Sequence, residues 1–251
     1  MRLTVLGSSA SCAGAGQACA GHYVEADGAR ILLDCGNGVL ANLSTIADPL
    51  GLDAVFVTHN HPDHYADVYC LQSLLRYAPD GPRAPLALYV PGELFERMQL
   101  LLSDRGAAEF AEAFVPVELK DGEPIVLGDV TVTPRLVQHT EPTFALVVEH
   151  EWARLVYTAD TAPCDGVFSA AEGADLLLAE ATLPEPYAGM SPHMTAREAG
   201  SLARQSGARE LVLVHVWPTN DRSLMASNAS ETFDGPVTVA KEFDVFEVAA
   251  G

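Results

Sequence analysis

The segment His59-Asn-His61-Pro-Asp63-His64 constrains this chain more than any other part of its sequence. It follows the apolar run at residues 54–57, which has the pattern of a short buried strand. Residues two apart in extended backbone point to the same side, so His59 and His61 can converge on one ion. The proline then turns the chain, so Asp63 and His64, at the start of a following helix, can face a second ion.

Imidazole nitrogens and carboxylate oxygens are the ligands that zinc and its first-row neighbours accept. A closed structural zinc site is disfavoured because such sites are rich in cysteine, and the five cysteines form no CxxC pair. We expect those cysteines to be small buried thiols. Two ions need further ligands, and three candidates follow later apolar runs, namely His139, Asp160 and His215. Each alone could be a strand cap, but together with the first cluster they indicate a metal centre.

Short apolar runs typical of buried strands recur along the whole chain. They lie at residues 3–6, 31–33 and 54–57, and again at 130–137, 144–148, 155–157, 176–178 and 211–214. Leu94, Phe95, Met98, Leu101 and Leu102 follow the spacing of a core-facing helix. The capping-box spacing from Thr195 to Glu198 predicts a helix that ends at Gly207. These patterns predict one domain, residues 1–251, in which two similar halves, roughly 1–115 and 116–251, form two packed sheets covered by helices.

The order of the candidate ligands resembles that of the metallo-β-lactamase superfamily, and the resemblance spans nearly the whole chain. It implies an α/β fold, a four-layer αββα sandwich of two similar halves. It also implies two divalent metal ions, with Zn²⁺ expected first and Mn²⁺ or Fe accepted by the same ligands. Carried over by position, one ion would be held by His59, His61 and His139, the other by Asp63, His64 and His215, with Asp160 bridging them.

Three further motifs narrow the resemblance. Asp34 in LLDCG matches the family's first motif, and its carboxylate would hold metal ligands in position without binding an ion itself. LLLAEAT around Glu180, followed by His193-Met-Thr, is similar to the phosphodiesterase branch that includes ribonuclease Z, and classical β-lactamases lack this pair. The candidate catalytic residues are therefore Asp63, His193 and Glu180, with His193 as the acid that Glu180 orients and keeps protonated.

Less specific sequence similarities indicate a small phosphodiester as the substrate. GNGVL, LLRYAP, VTPRLVQH and REAGSLARQSGARELVLVH resemble a compact actinobacterial-type branch that hydrolyses cyclic nucleotides. In ribonuclease Z, an arm that grips tRNA is inserted between the third histidine motif and the bridging aspartate. Here His139 and Asp160 are only 21 positions apart, and a plain hairpin fills the gap.

The charge balance agrees with a small substrate. Fourteen Lys plus Arg against 34 Asp plus Glu leave a formal charge of −20, which repels polyanions and anionic membranes. Two divalent ions in a pocket would still attract a single phosphate. We therefore expect a small anionic partner, a nucleotide, and neither long nucleic acid nor a membrane.

The sequence leaves alternative functions open. They are tRNA 3′ processing as in ribonuclease Z, hydrolysis of a carbonyl substrate such as a lactone, thioester or β-lactam, and metal binding without turnover. The Glu180 and His193 pair favours a phosphodiester over a carbonyl substrate. The apolar run at residues 3–6 is too short for a signal peptide, and no run reaches the length of a membrane helix, so a cytoplasmic protein is expected. The sequence does not decide between a monomer and a homodimer.

Four residues with suitable chemistry have no place in the cluster. His150 lies in an acidic hairpin segment and is expected to be solvated. His22 opens a strand and has no assigned role. Arg76 and Tyr77, one helix beyond the metal motif, could contact a substrate phosphate or base, or could simply lie on the surface.

Overall fold

The computed structural model describes residues 1–249. The strands, in chain order, are β1 (Arg2–Gly7), β2 (Gly21–Ala26), β3 (Ala29–Leu33), β4 (Ala54–Phe56), β5 (Leu86–Pro91), β6 (Phe114–Leu119), β7 (Ile125–Leu127), β8 (Val130–Leu136), β9 (Phe144–His150), β10 (Ala153–Tyr157), β11 (Leu176–Glu180), β12 (Glu210–Val214), β13 (Val237–Val239) and β14 (Val245–Glu247). The helices are α1 (Val39–Ile46), α2 (Val68–Arg76), α3 (Leu94–Gln99), α4 (Asp104–Ala113), α5 (Asp165–Ala171), α6 (Ala196–Ser206) and α7 (Arg222–Ser230).

The strands form two sheets of seven with the same internal pattern. The first has the order β14-β1-β2-β3-β4-β5-β6 and the second the order β13-β12-β11-β10-β9-β8-β7. From β14 to β6, three antiparallel pairs are followed by three parallel pairs. From β7 to β13, three antiparallel pairs are again followed by three parallel pairs. The two similar halves are thus visible in the strand order itself.

Three apolar layers hold the sheets and helices together. Alternate strand residues such as Leu3 and Ile31 meet Leu146 of the second sheet in the central layer. The intervening residues point to the helices, because a strand covered on both faces buries successive side chains on opposite sides. Accordingly, α1, α2, α3 and α4 cover the first sheet and α5, α6 and α7 cover the second. The four-layer αββα sandwich of the metallo-β-lactamase fold is confirmed.

Helix α6 begins and ends as its sequence predicts. The Thr195 hydroxyl accepts a hydrogen bond from the Glu198 amide at 3.2 Å, and the Glu198 carboxylate accepts one from the Thr195 amide at 2.8 Å. Gly207 closes the helix in the left-handed conformation, which glycine adopts without steric cost. This helix returns the chain from β11 to β12, and both strands lead into the site described below.

Several expectations about local structure were wrong. The boundary between the halves does not fall at residues 115 and 116, since β6 spans it and β14 returns to the first sheet. Asp63 and His64 form a 3₁₀ turn, Pro62–His64, and the α-helix starts later, at Val68. Leu101 lies beyond α3 and is exposed, because that helix ends one turn early.

Two kinds of side chain also differ in burial from the expectation. Cys12 and Cys70 are exposed, whereas Cys19 and Cys35 are buried as expected. His150 is buried rather than solvated, because it still belongs to β9 and pairs with Val130 on one side and Ala153 on the other. The hairpin turn itself consists only of the two residues after it.

Candidate metal centre

The candidate ligands lie in loops that follow strands. His59, His61, Asp63 and His64 follow β4, while His139, Asp160 and His215 follow β8, β10 and β12. Ligand atoms from these loops come within 4.8 Å of one another in overlapping groups. Strand ends are rigid, so the sandwich fixes the positions of these side chains before any ion binds.

The first group contains His59, His61, His139 and Asp160. Nδ1 of His61 lies 3.1 Å from Nε2 of His59 and 3.1 Å from Nε2 of His139. Oδ2 of Asp160 lies 3.6 Å from Nε2 of His59 and 3.7 Å from Nε2 of His139. Three imidazole nitrogens and one carboxylate oxygen therefore converge, as a tetrahedral zinc site requires.

The second group contains Asp63, His64 and His215. Nε2 of His215 lies 3.2 Å from Oδ2 of Asp63 and 3.3 Å from Nε2 of His64. The backbone amide of Ser11 donates to the same Asp63 oxygen at 2.8 Å and orients it. Asp160 adjoins this group too, since its Oδ2 is 3.4 Å from Nε2 of His64. A single carboxylate thus reaches both groups, which is the placement expected of a bridging ligand.

The hydrogen bonds around the groups show that the residues fit bound cations. Nδ1 of His64 lies 2.7 Å from the Asp34 carboxylate, and Nδ1 of His139 lies 3.0 Å from the Pro192 carbonyl. Both partners are acceptors only, so each Nδ1 carries a proton and Nε2 of each ring faces the centre. Buried Oδ1 of Asp160 makes no hydrogen bond within residues 1–249, although Nδ1 of His215 is 3.3 Å away. The inward-facing ring nitrogens and the Asp160 carboxylate are ligands that a divalent cation accepts.

The electrostatics of the site favour neutral imidazoles in the first group. Burial is the main cause that lowers the pKa of His59, His61 and His139, so all three are available as ligands at neutral pH. Burial also opposes charge on Asp160, but His215 and then His64 outweigh it and hold the Asp160 pKa well below its usual value. Asp160, which adjoins both groups, is therefore ionised at neutral pH.

The backbone around the site includes several residues in the left-handed region. Ser11, Asp34, Ala159 and His215 have φ values of 56°, 60°, 52° and 49°. Non-glycine residues avoid this region, and such strain persists only where the surrounding structure enforces it. Here it lies at Asp34 and His215 themselves and next to Asp160, so the loops hold these carboxylates and imidazoles in place at a local energetic cost.

Glu180 and His193 lie beside these two groups, and His193 also forms a third group of possible ligands with Asp160 and His215. Nδ1 of His193 is 2.8 Å from Oε1 of Glu180 and 4.0 Å from Oδ2 of Asp160. Burial opposes protonation of His193, but the hydrogen bond and charge of Glu180 outweigh it and raise the His193 pKa. Glu180 is fully buried and also accepts from the Thr161 amide at 2.7 Å. The pair therefore places an imidazole with a raised pKa against the metal groups.

The remaining sequence candidates are not part of the centre. Arg76 pairs with Glu112, and the Tyr77 hydroxyl donates to Glu109, so both contact α4. His22 is buried edge to face against Tyr157, with ring centroids 4.8 Å apart. Burial lowers the pKa of His22 to about 3, so this ring is neutral.

Three supporting residues were missed by the sequence reasoning. The Tyr157 hydroxyl donates to the Asp34 carboxylate at 2.8 Å across the sandwich. Thr58 contacts Asp34 at 3.0 Å, and Thr182 contacts Glu180 at 2.7 Å. The available signal was position alone, since Thr58 directly precedes His59 and Thr182 follows Glu180 by two residues.

Comparison with known proteins agrees with this geometry. Residues 29–216 match the family described as the beta-lactamase superfamily domain. The chain belongs to the beta-lactamase superfamily. It is 35% identical to an uncharacterised protein of Mycobacterium tuberculosis, over 99% of this chain and 92% of that protein. It is 28% identical to the probable metallo-hydrolase YhfI of Bacillus subtilis, over 98% of this chain and all of that protein. The YhfI crystal structure superposes with a TM-score of 0.88, covering 98% of this chain and 99% of that chain.

A further relative carries the name ribonuclease Z. This chain is 29% identical to ribonuclease Z of Halorubrum lacusprofundi, over 99% of this chain and 97% of that protein. The fold, the relatives and the histidine and aspartate groups together make this chain a metallo-hydrolase of the β-lactamase fold. Within residues 1–249, no helix combines the length and the apolar character needed to cross a membrane.

Proposed function

We propose that this chain is a phosphodiesterase that hydrolyses a small phosphodiester such as a cyclic nucleotide. The observation that carries the proposal is the Glu180 and His193 pair, joined by a 2.8 Å hydrogen bond beside both ligand groups. Hydrolysis of a phosphodiester expels an oxygen that needs a proton, and a positioned imidazolium supplies one. Nδ1 of His193 is held by Glu180, which leaves Nε2 to face the leaving oxygen.

The ligand assignment is part of the same proposal. His59, His61 and His139 would hold one ion, Asp63, His64 and His215 the other, and Asp160 would bridge them. Two divalent ions, when bound, acidify water and neutralise the charge of a phosphate. The protein positions these groups: Asp34 orients His64, and the Ser11 amide orients Asp63. The Asp63 side chain is also partly exposed to solvent.

A small substrate is supported by the short connection between β9 and β10. β9 ends at His150 and β10 begins at Ala153, so only two residues form the turn in the region where ribonuclease Z carries its arm. The alignment with Halorubrum ribonuclease Z spans 310 positions, although this chain has 251 residues, so that enzyme carries additional segments. The formal charge of −20 further opposes binding of a polyanion at physiological salt.

The test is a side-by-side measurement of kcat/KM with metal-loaded protein. The substrates are cyclic AMP, bis(p-nitrophenyl) phosphate, a precursor tRNA, a β-lactam and a simple lactone. We expect the first two to be cleaved much faster than the others, with Asp160→Ala protein as the blank for contaminating hydrolases. Preference for the tRNA would overturn the small-substrate proposal, and preference for the β-lactam or lactone would overturn the phosphodiesterase proposal.

A further inference from the structure

Two buried threonine hydroxyls lie between a carboxylate and an imidazole of the metal centre. Thr182 Oγ1 is 2.7 Å from Oε2 of Glu180 and 2.8 Å from Nδ1 of His215. Thr58 Oγ1 is 3.0 Å from Oδ2 of Asp34 and 3.1 Å from Nδ1 of His59. The same arrangement of carboxylate, hydroxyl and imidazole thus occurs once beside each ligand group.

The single proton of Thr182 decides which nitrogen of His215 is protonated. A hydroxyl donates one hydrogen bond, and an ionised carboxylate only accepts, so the short contact with Glu180 takes the Thr182 proton. The Thr182 oxygen then offers only lone pairs to Nδ1 of His215, and that nitrogen must donate. The His215 carbonyl, 3.0 Å from the same hydroxyl, is left as a secondary acceptor. His215 therefore presents the lone pair of Nε2 to Asp63 and His64.

Thr58 imposes the same choice on His59. Its proton goes to Asp34, which is an acceptor only, so Nδ1 of His59 donates to the Thr58 oxygen. Asp34 is held in turn by the Thr58 amide, which donates to its other oxygen at 2.8 Å. His59 is fully buried, so no water competes for Nδ1, and Nε2 faces His61 and Asp160.

We propose that Thr58 and Thr182 are matched positioning residues, each fixing the tautomer and orientation of one metal-binding histidine, with Thr182 also linking its ligand group to the acid pair. The link exists because Glu180 accepts from Thr182 through Oε2 while it binds His193 through Oε1. The inference rests on the two-ion centre of the proposed function but not on the identity of the substrate. Support from a partner that fixes the ligand's tautomer typically contributes about 10- to 100-fold in metal affinity.

The test compares Thr182→Val, which removes the hydroxyl at constant shape, with Thr182→Ser, which keeps it. Equilibrium Zn²⁺ titration of the apo proteins should show about 10- to 100-fold weaker binding of one ion in the valine variant and nearly unchanged binding in the serine variant. Thr58→Val and Thr58→Ser should behave in the same way toward the other ion. Thr4→Val, which changes a buried threonine of β1, is the matched control and should bind two ions normally.

A second measurement shows directly which ring nitrogen carries the proton. In zinc-loaded wild-type protein with ¹⁵N-labelled histidine, the rings of His59 and His215 should each show a protected Nδ1–H. Thr182→Val should lose protection only at His215. The proposal would be overturned if zinc affinity were unchanged in both valine variants, or if the valine and serine variants lost it equally. Protonation of Nε2 at these rings would also overturn it. Because neither readout uses substrate, failure of the phosphodiesterase proposal in the substrate panel would be recognised separately.

Discussion

At the scale of single residues, histidines of this site differ in role because their outer nitrogens have different partners. His64 and His139 give Nδ1 to acceptors outside the centre and turn Nε2 inward, whereas His61 presents Nδ1 to its neighbours. His193 is held by a buried carboxylate, which raises the pKa of its ring. In the proposed function, the same side chain therefore binds metal in one position and acts as an acid in another.

Variants at Asp160 and His193 should separate these roles. Asp160→Ala removes a carboxylate that adjoins both groups, so we expect loss of at least one ion and of activity. His193→Ala should keep close to two ions and lower kcat by about 10²- to 10⁴-fold, as for loss of an acid. Metal analysis and steady-state kinetics on the same samples provide the measurement. Metal loss in the His193 variant as large as that in the Asp160 variant would identify His193 as a ligand instead.

The residues that carry unusual chemistry were predictable from the sequence. Three histidines and an aspartate within six positions have few explanations, and the structure brings them together with His139, Asp160 and His215. No role was predicted for Thr58 or for Thr182, the last residue of LLLAEAT, because a threonine near a strand end is ordinary. His150 was assigned to the wrong environment because its acidic sequence neighbours do not reveal that β9 still includes it.

At the scale of elements, the loop after β3 supports the metal motif by direct backbone contact. A Cβ atom at Gly36 would lie 2.0 Å from the Asp63 carbonyl oxygen and 2.9 Å from the Ala20 carbonyl oxygen. The neighbouring Cys35 amide donates to the His64 carbonyl at 2.8 Å. Only glycine allows these loops to approach so closely, which explains the glycine of the LLDCG motif.

Gly36→Ala should therefore displace the metal motif. We expect a loss of about 1–3 kcal/mol in the free energy of unfolding, as for overpacking, together with reduced metal content. Gly28→Ala is the control, because a Cβ there meets no atom within 4 Å although φ is +80°. That variant should lose some stability from its backbone conformation but keep both ions. Denaturant unfolding and elemental analysis provide the measurements, and a Gly36→Ala protein with full metal content would contradict the argument.

Elements were predictable where both faces of a strand are buried. β9 and β11 read as continuous apolar runs, and the sequence pattern located both. β6 buries only its two end residues, while β7 and β14 are short and partly exposed. Such edge strands carry little apolar signal, and their pairing depends on neighbours that are distant in sequence. The return of β14 to the first sheet could not be inferred for this reason.

At the scale of the whole molecule, the metal centre joins the two sheets. The loop after β4 supplies His59, His61, Asp63 and His64 from the first sheet, and the second sheet supplies the other three ligand candidates. Each group combines residues of both sheets. The ions would therefore act as cross-links between the halves, in addition to the apolar layer and the hydrogen bond from Tyr157 to Asp34.

Removal of metal should consequently lower the stability of the entire domain. A ligand that binds only the folded state stabilises it by about 2.7 kcal/mol when present at 100 times its Kd, so two ions should raise the melting temperature by several degrees. We expect purified protein to contain close to two transition-metal ions per chain, and chelation should abolish activity and lower the melting temperature. Asp160→Ala protein, already deficient in metal, should show a smaller shift on chelation. Fully active protein with one ion or none would contradict the two-ion centre. A melting temperature that chelation leaves unchanged would show that bound cations do not hold the two halves together.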